Sequence, residues 1–156
     1  MNPPSQFTAA ERLESLKAGA LGGICAGVVS GSLLLGNRFL AQGTPPPFGE
    51  LTTGLAGLTL GVNFAIALLS GSVFALTYRY AVRQDENPQL KAGVVLAFTL
   101  VRGLAQVDAG SAIAQKFWPF LTACGESFLI FGLTAFALTL ATQRRWLTAF
   151  GEKSSS

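Results

Sequence analysis

Apolar residues run along this chain in long, nearly unbroken blocks; they neither alternate with polar residues at a period of two nor form a one-sided stripe. The first block carries no charge from Ala18 through Asn37 and reaches Leu40 before Gln42-Gly43-Thr44-Pro45-Pro46-Pro47, where prolines remove backbone donors and exclude a continuing helix. A second block, 51–77, closes on Tyr78-Arg79-Tyr80, the aromatic and basic chemistry of a membrane–water boundary. The third, 92–111, is apolar to Ala105 apart from Arg102, and it reaches the roughly 20 residues of a full crossing only by including Gln106 and Asp108. The fourth, 117–141, opens on Phe117-Trp118-Pro119, holds Glu126 as its one charge, and stops before Gln143-Arg144-Arg145-Trp146. Blocks of this length predict an all-α, polytopic transmembrane bundle of about four helices, at 18–40, 51–77, 92–111 and 117–141.

The flanks read differently. Residues 1–17 predict an interfacial segment, with Thr8-Ala9-Ala10-Glu11 matching a capping box and Leu13 and Leu16 on one side. Residues 144–156 read as a basic and then disordered, Ser-rich tail. A secretory signal peptide competes for the first block, since Arg12 and Lys17 precede it, but the apolar run is longer than a signal core and starts far from Met1. The loop 81–90, with Arg83, Asp85, Glu86, Asn87 and Pro88, is aqueous.

Composition agrees: 50% of the 156 residues are hydrophobic and 12% charged, and the mean hydropathy of +0.47 lies outside the balance of a soluble domain. The 18 glycines and 12 phenylalanines fit bilayer helices, whose backbones pack closely. Charge position gives the orientation. Arg12, Lys17, Arg79, Arg83, Lys91, Arg144, Arg145 and Lys153 fall on one side, and only Arg38 and Lys116 on the other, so the positive-inside rule places both termini on the cytoplasmic-type side. The pI near 9.2 does not signal nucleic acid, because the basic residues lie between apolar blocks and form no stripe. With no histidine, and with Cys25 and Cys124 as isolated thiols, histidine-ligated metals and histidine-based triads are excluded, and no cofactor or metal is expected. Chlorophyll ligation through Gln, Asn or Glu is chemically open, though no pattern selects it.

Two constellations carry the candidate sites. Gly19, Gly23, Gly27 and Gly31 recur every four residues, with Gly22, Ala26 and Ser30 on the adjoining row, and Gly57 and Gly61 give the second block a shorter version. Such a glycine zipper presents a smooth face for a subunit, or for packing of the first two spans on each other; complementary faces on both favour the latter. Ser30-Gly31-Ser32 is also echoed by Ser70-Gly71-Ser72. The second constellation is Arg102 and Glu126. With the third span leaving near Ser111 and the fourth starting near Phe117, both fall roughly 13 Å deep on antiparallel neighbours, which predicts an intramembrane ion pair completed by Gln106 one turn along. Such a pair is either a structural bridge or part of a polar route, the alternative to the bridge being an Arg102 that snorkels outward with Asp108 and Lys116.

Leu21-Gly22-Gly23-Ile24-Cys25-Ala26-Gly27, Gly71-Ser72-Val73-Phe74, Val82-Arg83-Gln84-Asp85-Glu86-Asn87-Pro88, Ala92-Gly93 and Arg102-Gly103 together resemble the preprotein and amino-acid transporter superfamily of mitochondrial presequence translocases and plastid envelope channels. The resemblance implies four spans with both termini on one side. It departs at Asn87, where the family pattern has Asp, and in the shorter spacings from Phe74 to Arg83 and from Asn87 to Ala92. In style the chain is also similar to small accessory membrane proteins of cyanobacteria and plastids. The expected function is that of a non-enzymatic accessory subunit or assembly factor of a membrane protein complex, meeting the lipid bilayer and a membrane-protein partner or a second copy of itself. The alternative is a small channel or transporter with a polar route near Arg102 and Glu126. The membrane expected is a plasma or inner membrane, or a thylakoid or plastid membrane in a photosynthetic organism.

Overall fold

The computed structural model describes residues 9–43, 54–82, 87–106 and 117–147. Among them are four helices and no strand: α1 (Ala9–Gln42), α2 (Gly54–Val82), α3 (Pro88–Ala105) and α4 (Phe117–Gln143). They run up and down as an all-α bundle. Thr8 of the expected capping box, residues 44–53 and 83–86, Asp108, Lys116 and the Ser-rich 148–156 lie outside the described residues.

Three helices are long and apolar enough to cross a membrane, over Ala10–Leu40, Gly57–Val82 and Phe117–Gln143. Their outer surfaces are apolar at mid-helix: Leu69 is 68% exposed and Phe136 67%. In water such surface would cost about 25 cal/mol per Å² left unburied, whereas lipid solvates it. The chain is a membrane protein on this evidence.

Two expected boundaries move. Residues 9–17 are not a separate interfacial segment but the first turns of one continuous 34-residue helix. At about 51 Å this helix is longer than the roughly 30 Å hydrocarbon core, so its charged turns with Glu11, Arg12, Glu14 and Lys17 project from the end of the span. The third helix occupies 88–105 rather than 92–111. Asn87 caps its start, its Oδ1 accepting from the Gln89 backbone N–H at 2.9 Å, and Pro88 sits in the first turn, where no donor is lost. Gln106 ends it with its N–H turned back onto the Arg102 and Gly103 carbonyls. At 18 residues, or about 27 Å, α3 is the shortest of the four described helices and carries Lys91 and Arg102.

The most extensive contact joins α1 to α2, followed by α3 to α4 and then α1 to α4. The closest approach falls at Gly22 and Gly71. A Cβ built on Gly22 would lie 2.7 Å from the Gly71 carbonyl oxygen and would collide with Ala75 Cβ, and one on Gly71 would meet Ala26 Cβ and the Gly22 carbonyl. At one end of the pair, Ser15 uses its whole hydrogen-bonding capacity. Its hydroxyl donates to the Glu11 carbonyl at 2.9 Å and accepts from Tyr80 OH at 2.9 Å and from Arg79. Tyr78 OH on α2 donates to Thr139 on α4, whose own hydroxyl is turned onto the Ala135 carbonyl. The start of α1 and the end of α4 therefore lie at the same end of the bundle.

The end of α4 is folded rather than frayed. Trp146 N–H returns to the Ala141 carbonyl at 2.9 Å and Arg145 N–H to that of Thr142 at 3.0 Å, a Schellman turn that brings Leu147 back into the core. Arg145 takes the left-handed position at φ 58°, which a residue with a Cβ adopts at a cost. Arg145→Gly is expected to raise the stability of the detergent-solubilised protein by about 1 kcal/mol, read as a higher thermal midpoint.

Candidate functional site

Arg102 lies in the last turn of α3, only 9% exposed. Its Nη1 donates to Ser70 Oγ on α2 at 3.4 Å, and its Nε meets no acceptor. Two more buried polar atoms lack a partner: Thr99 Oγ1, one turn earlier on α3, and Ser127 Oγ on α4. Membrane-buried hydroxyls commonly donate to the carbonyl four residues back, as Thr134 does to Ile130 at 2.7 Å. Thr99 and Ser127 do not.

The helix register brings these groups to one level. A Cβ on Gly103 would sit 2.6 Å from Cys124 Sγ and 3.1 Å from Cys124 Cα, so α3 and α4 touch backbone to backbone there. Nearer the charge-rich end, the Phe98 and Phe131 rings meet at 5.6 Å. Between those two contacts, Thr99 and Arg102 lie alongside the turn that carries Ser127. Ser70, Thr99, Arg102 and Ser127 thus form a polar layer shared by three helices.

An aromatic layer covers it on one side. Four residues toward the charge-rich end from Ser70, Arg102 and Ser127 stand Phe74, Phe98 and Phe131, one on each helix. Phe74 lies 5.0 Å from Phe131 and 5.3 Å, edge-on, from Phe98. Phe74 and Phe131 are almost completely buried, and Tyr78 extends the stack at 5.6 Å from Phe74. The rings pack α2, α3 and α4 against one another at that level.

The expected Arg102–Glu126 ion pair is not formed. Glu126 Oε1 accepts from Asn37 Nδ2 on α1 at 2.7 Å, and Lys17 pairs with Glu14 within α1 at 2.8 Å. The reason is the direction each side chain faces, not depth: the contacts of Gly103 with Cys124 and of Phe98 with Phe131 set Arg102 level with the turn of Glu126, but Arg102 reaches Ser70 on α2 while Glu126 reaches Asn37 on α1. Arg102 lies three residues from its helix terminus instead of nine, and the Glu126 charge acts on the guanidinium through space. Gln106 does not complete a pair either. It caps α3 through its backbone, and its side chain is exposed. At the last turn of α3, the Arg102 charge lies beside the negative end of the helix dipole, which favours a cation there.

Of the six glycines singled out by spacing, Gly19, Gly23 and Gly27 face α2, with Leu76, Ser72 and Phe64 as the nearest neighbours of an added Cβ. Gly31 and Gly61 face open space. Gly57 lies half-buried near the start of α2. Gly23 is among the tightest positions, its added Cβ lying 2.5 Å from Ser72 Oγ and 3.0 Å from the Leu68 carbonyl oxygen, and Gly22, Gly71 and Gly103 join it. Gly71 lies in the Ser70-Gly71-Ser72 echo, which also contains the hydroxyl that meets Arg102, so that short repeat was the available signal.

Chemically the layer offers a fixed cation, hydroxyls and a thiol. No base faces a nucleophile within it, and no group of three or more metal-binding side chains occurs among the described residues. Comparison with protein families, with curated proteins and with solved structures gave no match for this chain.

Proposed function

We propose that the protein is a non-enzymatic accessory subunit or assembly factor of a membrane protein complex, and that it works through its outer helix faces. The observation that carries this reading is a set of open glycines. Gly31 and Gly36 on α1, Gly61 on α2, Gly93 on α3 and Gly125 and Gly132 on α4 would each have nothing within 4 Å of an added Cβ. A glycine inside a helix costs about 1 kcal/mol relative to alanine, a cost that close approach of another backbone offsets. These glycines have no such neighbour among the described residues.

A conduit past Arg102 is the second reading, favoured by the unpartnered atoms of Thr99, Arg102 and Ser127. The Phe74, Phe98 and Phe131 rings oppose it, because a continuous polar path would have to displace them. The resemblance around 82–88 and 102–103 adds translocase-type complexes as one class of partner. The membrane is a plasma or inner membrane, or a thylakoid or plastid membrane in a photosynthetic source.

Photo-crosslinkable residues at Gly61 and Gly125, with Leu69 as a lipid-facing control, test the reading in native membranes. Discrete protein adducts from the glycine positions and lipid adducts from Leu69 are expected. Lipid adducts at all three, together with ion or solute flux in reconstituted vesicles that changes with Arg102→Gln, would replace the accessory role with the conduit.

A further inference from the structure

Between α3 and α4 on the membrane-facing side runs an open cleft of about 340 Å³. Val95, Leu96, Phe128, Gly132 and Phe136 form its apolar walls, and Lys91 is the one charged residue in its lining. Lys91 lies in the first turns of α3, at the same end of the cleft as Tyr78 and Thr139, whose hydroxyls meet at 3.3 Å. On α4 the lining extends from Phe128 to Thr139, about 16 Å at 1.5 Å per residue. Half of a bilayer's hydrocarbon core is about 15 Å.

The chemistry is therefore graded along one leaflet. A cation stands at headgroup level, two hydroxyls lie beside it, and below them an apolar trough descends to the middle of the membrane. At Gly132 an added Cβ would have nothing within 4 Å, so the trough keeps its width halfway down, while Phe128 and Phe136, 50% and 67% exposed, flank it with flat apolar surface. Opposite charge at the polar end and matching length at the apolar end describe a lipid, and specifically one whose headgroup carries a net negative charge. Basic pockets between transmembrane helices hold such headgroups.

We infer that this cleft seats one acyl chain of an anionic phospholipid from the leaflet at the charge-rich end of the bundle, with its phosphate on Lys91. The inference needs the fold and the membrane; it assigns Gly132 to lipid, and the accessory-subunit reading then rests on the other five open glycines.

The purified full chain in detergent, titrated with phosphatidylglycerol or phosphatidylcholine and read by native mass spectrometry, tests it. One phosphatidylglycerol is expected to stay bound in preference to phosphatidylcholine. Lys91→Gln should weaken it about fivefold, Lys91→Arg should retain it, and Lys17→Gln, which removes an equal charge on α1, should change it little. Gly132→Leu fills the trough and should lower the occupancy of both lipids, with an unchanged thermal midpoint showing that the bundle is intact. Equal loss from Lys91→Gln and Lys17→Gln would reduce the effect to bulk charge and overturn the assignment. So would undiminished binding in Gly132→Leu, or equal retention of the two lipids by the unaltered chain. A dimer abolished by Gly132→Leu, with no bound lipid, would assign the cleft to a second copy instead.

Discussion

Gly22→Leu is expected to eliminate the folded bundle, while Gly31→Leu, on the same helix, leaves the thermal midpoint of the isolated protein essentially unchanged. The contrast follows from what a side chain would meet. At Gly22 it would run into the Gly71 carbonyl oxygen at 2.7 Å and into Ala75, both fixed to the backbone of α2, while at Gly31 it would find open space. Overpacking a rigid contact costs about 1–3 kcal/mol when neighbouring side chains can yield. Here the obstacle is backbone, so the cost for leucine exceeds that range, because α1 must lift off the helix with which it shares its largest interface. Gly22→Ala is expected to fall in between, losing about 1–3 kcal/mol to the collision and recovering about 1 kcal/mol of helix propensity. Thermal unfolding monitored by size-exclusion chromatography in detergent ranks the three variants. If the accessory role holds, Gly31→Leu loses its partner in native membranes while keeping its fold.

The second large effect is expected at Arg102. Arg102→Glu places a second carboxylate in a buried layer on which the Glu126 charge already acts, and the loss of folded protein should be nearly complete. Arg102→Met is expected to be neutral or stabilising by about 1–4 kcal/mol, since the native guanidinium has one long hydrogen bond, to Ser70, and an unpartnered Nε to set against its desolvation. Combining Arg102→Glu with Glu126→Arg should recover much of the folded yield. The new carboxylate could accept from the Ser70 hydroxyl, and the new guanidinium could donate to the Asn37 amide oxygen. Expression level and thermal midpoint measure all three. A strongly destabilised Arg102→Met would show that the charge holds the bundle together; a stable Arg102→Met that loses activity in native membranes would give the residue a functional role.

These two sites also show what was legible in the residue order. The up-and-down helical architecture followed from block length, because a run of about 20 apolar residues has few other ways to satisfy its backbone groups. Helix ends were less legible. Nothing in the sequence distinguishes Lys17, which continues α1, from a residue that would break it, since charge placement marks a membrane boundary and not the end of a helix. The end of α3 at Ala105 is hidden too. Span length does not show where α3 stops, yet Arg102 and Glu126 still come level on antiparallel neighbours; what the residue order hides is their rotation, which turns Arg102 to Ser70 on α2 and Glu126 to Asn37 on α1. The four-residue spacing of Gly19, Gly23, Gly27 and Gly31 identified the right helix, and the adjoining row of Gly22 and Ala26 supplied its closest contact. Spacing fixes which residues share a face, but the rotation of that face toward a neighbour depends on the neighbour, here the small residues Gly71 and Ala75. The aromatic layer was invisible for the same reason. Phe74, Phe98 and Phe131 are three of 12 phenylalanines, and only the packing of three helices brings them together.

The central claim is that the helices cross a bilayer and return both chain ends to one face. Single cysteines at Glu14, Gln143 and Gly43, introduced one at a time after Cys25 and Cys124 are changed to alanine, test it when sealed vesicles of one orientation are treated with a membrane-impermeant maleimide. Glu14 and Gln143 are predicted to react alike and Gly43 in the opposite sense, with detergent making all three reactive. Opposite labelling of Glu14 and Gln143 in intact vesicles would contradict the account.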